Sequence, residues 1–309
     1  MTKVNSVLID RFPHPGVAFT EGLAILRENH DERIVLESTG MWGISQVRAL
    51  RMINSSYTKV EMSRPLDPNT FGEGLAIWRN SILQLTYKRG VLAVFDRNMM
   101  EKKCEISYPS NSFQEGWGLY YDSDVTNRLY VTDGTDRIYV VRFEGCDADL
   151  VTETELRVSQ DGISIQGLND ITFDPVNKLF WVVIDKSKCV VGIDAESGVA
   201  IRWIDMSKYG PRSTLFEKAG DMNGIAMDTT SRHIFLTGKN WPYIYELSLE
   251  NSRSDDDSRR FHELCGTADG RHGLRGSDGL GGVLMNSDDN AFSIMGNALS
   301  PLLYVNHHH

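Results

Sequence analysis

Short runs of β-branched and aromatic residues recur through the first 250 positions of the chain, each bounded by glycine, aspartate or asparagine. The first runs of the series are residues 33–36, 82–86, 128–132, 178–183 and 233–237. After a short turn, a second run follows four of them, at residues 91–95, 138–141, 189–193 and 243–247. This pattern predicts strands joined as hairpins, and no long amphipathic stretch with helical spacing interrupts it. Each repeat is therefore expected to be a small antiparallel sheet.

A three-residue marker precedes each first run: a polar or aromatic residue, then Gly or once Asp, then Leu or Ile. The markers are Glu21-Gly22-Leu23, Glu73-Gly74-Leu75, Trp117-Gly118-Leu119, Asn169-Asp170-Ile171 and Asn223-Gly224-Ile225, spaced 44 to 54 residues apart. Such a period is typical of propellers and solenoids. We predict an all-β fold, a five-bladed β-propeller, in which equivalent marker positions converge on one axis. The alternative is a β-sandwich with chance Gly-Leu pairs, but the strand pattern repeats together with the marker.

The two ends of the chain have different predicted roles. Residues 4–12 alternate as a strand, and we expect residues 7–9 to pair near Tyr245 and close the last blade. The propeller domain is predicted to span residues 1–250. Residues 251–306 form a Gly/Ser/Asp-rich C-terminal tail with one apolar stretch, 292–305, that is expected to dock on the propeller. Residues 307–309 are three histidines, interpreted as the remnant of a purification tag.

Charge and composition narrow the classes of partner. The formal charge is −10 and the pI about 5.3, which argues against a nucleic-acid or anionic-membrane partner. No apolar run approaches the roughly 18 residues of a membrane span, and no signal-peptide pattern begins the chain. The four cysteines show no CxxC or zinc spacing. Their spacing alone does not decide whether any pair is bridged, and the favoured prediction is free, partly buried thiols. The sequence does not predict an oligomeric state.

Around the markers the chain resembles the plant-type glutaminyl cyclases, the glutamine cyclotransferase family, which also has bacterial and protist members. The similarity covers about residues 7–249. It runs in order through Phe12-Pro13-His14, Ala18-Phe19-Thr20-Glu21-Gly22-Leu23, Glu37-Ser38-Thr39-Gly40, Ser45-Gln46-Val47-Arg48, Phe71-Gly72-Glu73-Gly74-Leu75, Glu115-Gly116-Trp117-Gly118-Leu119, Thr132-Asp133-Gly134-Thr135, Leu168-Asn169-Asp170, Asn223-Gly224-Ile225-Ala226 and Thr237-Gly238-Lys239-Asn240-Trp241-Pro242. The resemblance implies a five-bladed propeller that cyclises N-terminal glutamine of peptides or proteins to pyroglutamate with release of ammonia. It implies no metal or cofactor, and a secretory, periplasmic or vacuolar compartment.

The resemblance also assigns roles to individual positions. It implies that Glu73 is the catalytic carboxylate and that Asn169 and Lys239 belong to the pocket. The aromatic walls implied by it are Trp117, Phe19 and Phe71. Three further pocket positions depart from the family pattern, which commonly has Gln, Trp and another aromatic residue where this chain has Glu21, Tyr87 and Asp185. Two of these changes add acids to the expected pocket and bear on its substrate range.

The reaction explains why these residue types are needed. The substrate amine attacks its own side-chain carbonyl, so a tethered near-attack conformer removes much of the entropic barrier. Glu73 is the candidate proton shuttle, and desolvation by Trp117 and Phe71 would raise its pKa while a nearby cation would lower it. Lys239 and Asn169 are candidate oxyanion donors.

Several candidates have a second interpretation. Glu21 is a candidate counter-ion for the substrate amine; alternatively it favours N-terminal glutamate or simply faces water. Glu73 could satisfy backbone donors, and Asn169 and Asn223, also a substrate-binding candidate, could cap tight turns. The remaining tryptophans are predicted to pack between blades, with the last of them also at the pocket rim: Trp42, Trp181, Trp203 and Trp241.

Two other protein classes remain as alternatives. A non-catalytic propeller scaffold would have lost turnover through the departures from the family pattern. A metal-dependent propeller hydrolase needs several oxygen or imidazole ligands around a hard cation. The markers offer Glu21, Asn169, Asp170 and Asn223 for that purpose, but Lys239 would be an awkward neighbour.

Overall fold

The computed structural model describes residues 1–16, 18–27, 33–109, 111–122, 126–211, 220–251 and 258–265. The apolar stretch at residues 292–305 and the histidines at 307–309 lie outside the described residues. Within the described chain, strands account for nearly all regular secondary structure, which confirms the all-β prediction.

The strands of the first half form separate four-stranded antiparallel sheets. Strand β1 (Thr2–Pro13) comes first in the chain. The first sheet contains β2 (Thr20–Arg27), β3 (Arg33–Thr39), β4 (Gln46–Asn54) and β5 (Tyr57–Pro65). The second contains β6 (Gly72–Trp78), β7 (Ser81–Thr86), β8 (Val91–Asp96) and β9 (Lys102–Ser107). The third contains β10 (Leu119–Asp122), β11 (Arg128–Thr132), β12 (Arg137–Arg142) and β13 (Val151–Arg157), and a short hairpin follows, β14 (Ser159–Gln160) with β15 (Ile163–Ser164).

The second half forms one eight-stranded sheet that also takes in the N-terminal strand. Its strands are β16 (Leu168–Asp174), β17 (Leu179–Ile184), β18 (Cys189–Asp194), β19 (Ala200–Asp205), β20 (Met222–Asp228), β21 (His233–Gly238), β22 (Tyr243–Asn251) and β1. Strand β1 lies between β19, to which it is parallel, and β22, to which it is antiparallel. Val7 pairs with Ser248 and Arg11 with Tyr245, which confirms the predicted pairing of the N-terminal strand.

The strand that contains each marker, or in the third repeat the last residue of the marker, lies innermost. Strands β2, β6, β10, β16 and β20 contact one another in that order, and β20 contacts β2 again. Strands β7 and β17 are buried along their whole length, because neighbouring sheets cover both of their faces. The outermost strands β5 and β13 are largely exposed or half-buried.

Close approach of the inner strands explains the marker glycines. A β-carbon on Gly22 would lie 2.8 Å from the Cα of Gly74, so only glycine fits there. In the fourth marker Asp170 takes the glycine position. Its Oδ2 accepts hydrogen bonds from the backbone N–H groups of Leu23 (3.2 Å) and Ile225 (2.7 Å). The marker positions therefore converge, as the repeat predicts.

The prediction of free cysteines is wrong. Cys104 is bonded to Cys146, with their Cα atoms 6.0 Å apart, and Cys189 is bonded to Cys265, with theirs 5.7 Å apart. The partners lie 42 and 76 residues apart in sequence. Only the folded arrangement of the strands brings them within bonding distance.

The tryptophan predictions are correct for burial in three cases and wrong for Trp42. Trp181 and Trp203 are fully buried, and Trp241 is 6% exposed. Trp42 is instead 52% exposed, and its ring centroid lies 5.7 Å from that of Phe71. It belongs to the turn after β3, so it contacts a predicted pocket residue rather than a neighbouring sheet.

Part of the predicted loop-like tail is helical. Helix α1 (Ser258–Leu264) places Phe261 in the core, where its ring lies 5.8 Å from that of Trp203. The Cys189–Cys265 disulfide fixes the residue that follows the helix. Among the described residues, no helix has the length and apolar character needed to cross a bilayer.

Candidate active site

Residues from distant parts of the sequence form a buried ion pair where the inner strands begin. Glu21 Oε2 lies 3.3 Å from Lys239 Nζ and accepts a 2.6 Å hydrogen bond from Asn223 Nδ2. Burial raises the pKa of Glu21 to about 7, although Lys239 and the Asn223 hydrogen bond act to lower it. Because Glu21 is only 2% exposed, the alternative that it faces water is wrong. Near neutral pH this carboxyl is poised between its two protonation states.

Glu73 lies on the next inner strand, β6, and is 6% exposed. Burial, followed by the charge of Glu21, raises its pKa well above the ordinary value, and Lys239 does not reverse that direction. Within the part of the chain that the structure describes, no hydrogen bond to the Glu73 carboxyl is formed. It therefore does not cap the described backbone, and its oxygens are available to a bound molecule.

Lys239 follows strand β21 and reaches back over Phe19. Its Nζ lies 4.9 Å from the Phe19 ring centroid, a favourable cation–π geometry. Burial acts to lower the pKa of Lys239, but the charges of Glu21 and Glu73 outweigh it and the net direction is upward. Lys239 is therefore a cation throughout the neutral pH range.

Half-buried aromatic rings form one wall beside this cluster. The ring centroid of Phe71 lies 6.2 Å from that of Phe19 and 5.6 Å from that of Tyr87. Trp42 extends the same wall outward. Partial exposure distinguishes these rings from core aromatics and makes them accessible to a ligand.

Trp117 forms a second wall. Its backbone carbonyl accepts a 2.7 Å hydrogen bond from the N–H of Gly74, the residue after Glu73. Its ring lies against Gly134, where a β-carbon would come within 2.6 Å of the indole and where φ is +81°. The indole N–H faces Glu115 Oε2 at 3.4 Å. The glycine thus leaves room for the indole beside it.

Asp185 approaches the cluster from the strand next to β16. Its backbone N–H donates to Gly167 (2.8 Å), which in turn donates to Gly134 (2.8 Å), so it is tied to the Trp117 wall. The side chain is 15% exposed, and its nearest described ion partner is Lys186 Nζ at 3.9 Å. Its negative charge acts to raise the pKa of both Glu21 and Lys239. This acid therefore shares the electrostatic field of the site.

The two marker asparagines differ in their contacts. Asn223 is fully buried; its amide donates to Glu21, and its oxygen accepts a 3.0 Å bond from the Gly224 N–H. It thus both caps the turn and holds the acid. Asn169 is 4% exposed, and its Oδ1 has no hydrogen-bond partner among the described residues. The turn-cap interpretation of Asn223 is therefore correct, and its role in substrate binding stays a prediction.

In the structure, the predicted site residues lie at the same end of the inner strands or are linked by hydrogen bonds to the aromatic walls there. Their catalytic roles stay predictions. Sequence reasoning missed Trp42 as part of the wall and Asp170 as the acid under the site. Asp170 is fully buried, and burial raises its pKa well above the ordinary value despite its backbone hydrogen bonds. A signal for it exists in the sequence, because Asp170 replaces the glycine of the other markers.

Two further observations complete the description of the inner strands. A cavity of about 490 Å³ is lined by their later parts, including Leu26, Ile77 and Tyr121, and contains none of the predicted site residues. Among the described residues, no group of three or more His, Cys, Asp or Glu side chains is arranged to hold a metal ion.

The fold and the cluster together define a class: an all-β arrangement of antiparallel sheets with a largely buried acid–lysine pair between aromatic walls. Comparison with known proteins agrees. A sequence profile described as glutamine cyclotransferase matches residues 1–249. The chain therefore belongs to the glutamine cyclotransferase family, which confirms the resemblance found in the sequence.

Two relatives illustrate the similarity. The chain is 28% identical over 257 residues to a glutaminyl-peptide cyclotransferase of Arabidopsis thaliana, a match that covers 81% of this chain and 73% of that protein. It is 26% identical to the glutaminyl cyclase of Myxococcus xanthus, whose crystal structure matches with a TM-score of 0.66 over 81% of this chain and 99% of that one.

Proposed function

We propose that this chain cyclises N-terminal glutamine of peptides or proteins to pyroglutamate and releases ammonia, with Glu73 as the proton shuttle. The observation that carries the proposal is the Glu73 carboxyl. It is buried, has a raised pKa, lacks a hydrogen-bond partner among the described residues, and lies beside the Glu21–Lys239 pair.

We also propose that the ring has five blades. The eight-stranded sheet divides at β1 into β16–β19 and a second set made of β20, β21, β22 and β1. Together with the three four-stranded sheets, this gives five sets of four strands. The continuous contacts among the inner strands support a closed ring. The catalytic domain would then span residues 1–250, with residues 251–306 as its extension.

Substrate binding begins with the free amine. A peptide N-terminus has a pKa of about 8 and arrives largely as an ammonium, yet only the neutral amine can attack. Glu21 pairs with the ammonium and takes its surplus proton, since the pKa of Glu21 is about 7. Trp117, Phe71 and Phe19 hold the glutamine side chain folded back toward this amine, and Tyr87 and Asp185 line the way in.

Ring closure follows from that geometry. The amine nitrogen attacks the side-chain amide carbon, and the carbonyl electron pair moves onto the oxygen. Lys239 Nζ and the Asn169 amide stabilise the resulting oxyanion. Losing one donor of this kind typically costs about 10²- to 10³-fold in rate.

Collapse of the intermediate requires one proton to move between two nitrogens. Glu73 donates its proton to the departing amide nitrogen, the carbon–nitrogen bond breaks, and ammonia leaves. The Glu73 carboxylate then takes the surplus proton from the new ring nitrogen. Glu73 ends in its initial state, Glu21 releases the proton taken from the ammonium to solvent, and the products are pyroglutamyl peptide and ammonia. The raised pKa of Glu73 suits this order, because it favours the protonated form that donates first.

The test compares peptides that differ only in the reacting groups. We expect the protein to convert a Gln-initiated dipeptide to its pyroglutamyl form, followed by mass spectrometry and ammonia release. The N-acetylated peptide lacks the nucleophile and the Asn-initiated peptide would have to close a smaller ring, so both should remain unchanged. No turnover of the Gln peptide across the neutral pH range would contradict the proposed function.

A further inference from the structure

A second buried charge cluster lies behind the catalytic one, centred on Glu37 of strand β3. Glu37 is fully buried. Its Oε1 accepts hydrogen bonds from Thr20 Oγ1 (2.6 Å) and His14 Nε2 (2.8 Å), and its Oε2 accepts one from Arg48 Nε (2.8 Å). Burial acts to raise the pKa of Glu37, but the charges of His14 and Arg48 outweigh it and lower the pKa to about 2. Glu37 is therefore an anion throughout the neutral pH range, and both of its carboxylate oxygens are hydrogen-bonded within this cluster.

On one side, this cluster is linked to the backbone beside Glu21. Thr20 immediately precedes Glu21 at the start of β2, and its hydroxyl donates to the Glu37 carboxylate. The Thr20 side chain is fully buried, so it has no room to turn away. The Glu37 anion thus fixes the backbone from which Glu21 projects.

On the other side, the cluster is linked through His14 to the turn that contains Lys239. His14 Nδ1 donates to the carbonyl of Trp241 (3.0 Å) while Nε2 donates to Glu37. The His14 backbone N–H donates to Pro242 (2.9 Å). The backbone N–H of Trp241 in turn donates to the Gly238 carbonyl, closing the turn that carries Lys239. The His14 ring therefore connects the Glu37 anion to the lysine turn.

We propose that Glu37, with His14 and Thr20, is a positioning group that sets the separation of Glu21 and Lys239. The two members of that pair are 218 residues apart in sequence: Glu21 lies on β2, and Lys239 lies in the turn after β21. Their 3.3 Å contact is at the outer limit of a hydrogen bond, so a small displacement of either strand would break it. A misplacement of about 1 Å can cost about 10²-fold in rate. The kinetic test of this inference rests on the proposed function, whereas the test by chemical labelling of Lys239 does not.

The decisive variant is Thr20→Val, which keeps the shape of the side chain and removes only its hydrogen bond to Glu37. We expect kcat for a Gln-initiated dipeptide to fall about 5- to 20-fold with little change in KM, and Thr20→Ser to restore it. Thr152→Val is the matched control, because Thr152 lies on the outer strand β13 and its Oγ1 donates a hydrogen bond to Ser112 Oγ (2.8 Å). It should leave kcat unchanged. In folded Glu37→Gln protein, kcat should fall further than in Thr20→Val.

A second readout does not depend on turnover. Lys239 is held as a cation by its acidic neighbours, so loosening the pair should expose more neutral amine. Acylation of Lys239 by an amine-reactive probe, followed by mass spectrometry, should be about two- to fivefold faster in Thr20→Val than in the wild type. Wild-type labelling in Thr20→Val would overturn the proposal, as would wild-type kcat in an active enzyme. An inactive wild type with altered labelling in Thr20→Val would reject the proposed function alone.

Discussion

Substituting Glu21 by glutamine should change how the stability of the protein depends on pH. A glutamine side chain resembles the protonated form of the acid and keeps the acceptor for Asn223. In the folded chain burial raises the pKa of Glu21 from 4.5 to about 7. The folded state therefore binds this proton more tightly than the unfolded state does, and stability falls as pH rises through that interval. The variant lacks this loss.

The size of the effect follows from the pKa values. A rise from 4.5 to about 7 corresponds to about 3 kcal/mol, at about 1.4 kcal/mol for each tenfold change in the protonation equilibrium. The unfolding free energy of Glu21→Gln minus that of the wild type should therefore be about 3 kcal/mol larger at pH 8 than at pH 4.5. Below pH 4.5 both forms carry a neutral group, and the difference should stay constant.

Urea unfolding at the two pH values measures this directly. The control is Glu105→Gln, whose carboxylate pairs with Arg89 at 2.9 Å on the surface and should change the unfolding free energy by no more than about 1 kcal/mol at either pH. Turnover supplies a second readout, because the variant should lose the rise in rate near pH 7 that reflects ionisation of Glu21. An equal stability difference at both pH values, together with identical pH–rate profiles, would refute the role given to Glu21.

Three other changes probe separate parts of the structure. Gly40→Ala should raise KM, because its β-carbon would collide with the Phe71 ring and push it into the pocket; unchanged steady-state kinetics would contradict this wall. Asp170→Asn should lower the pKa of Glu73, since the Asp170 charge acts to raise it. The basic limb of the pH–rate profile should therefore move to lower pH. An unchanged basic limb would show that Asp170 has no electrostatic effect on the site. Removing the disulfide between Cys104 and Cys146, which closes a separation of 42 residues, should lower the unfolding free energy by about 4 kcal/mol. Chemical denaturation with and without reductant measures this loss, and equal unfolding free energies would contradict the presence of the bond.

The repeat explains why much of the site could be found from sequence. Glu21, Glu73 and Asn223 occupy the first position of their markers, and a ring places such positions together however far apart they are in the chain. The pairing of Asn223 with Glu21 is an example, because the two are 202 residues apart. Marker register alone brings them to the same end of the inner strands.

Contacts that do not follow the repeat could not be predicted. Cys189 and Cys265 meet because helix α1 returns to the sheet that contains β18 and β19, and nothing periodic marks that return. The His14–Glu37–Arg48 cluster combines residues from three different strands and turns, and each of them alone looks like an ordinary surface residue. The apolar character of Trp42 favours a core position, but the short turn after β3 leaves it half in solvent.

The central claim is that a buried acid at the axis moves the proton that lets ammonia leave. The most direct measurement is the rate of ammonia release from a Gln-initiated dipeptide by the wild type and by Glu73→Gln, under conditions where both are folded. We expect a loss of about 10²- to 10⁴-fold in kcat for the variant. Equal rates in the two proteins would contradict it.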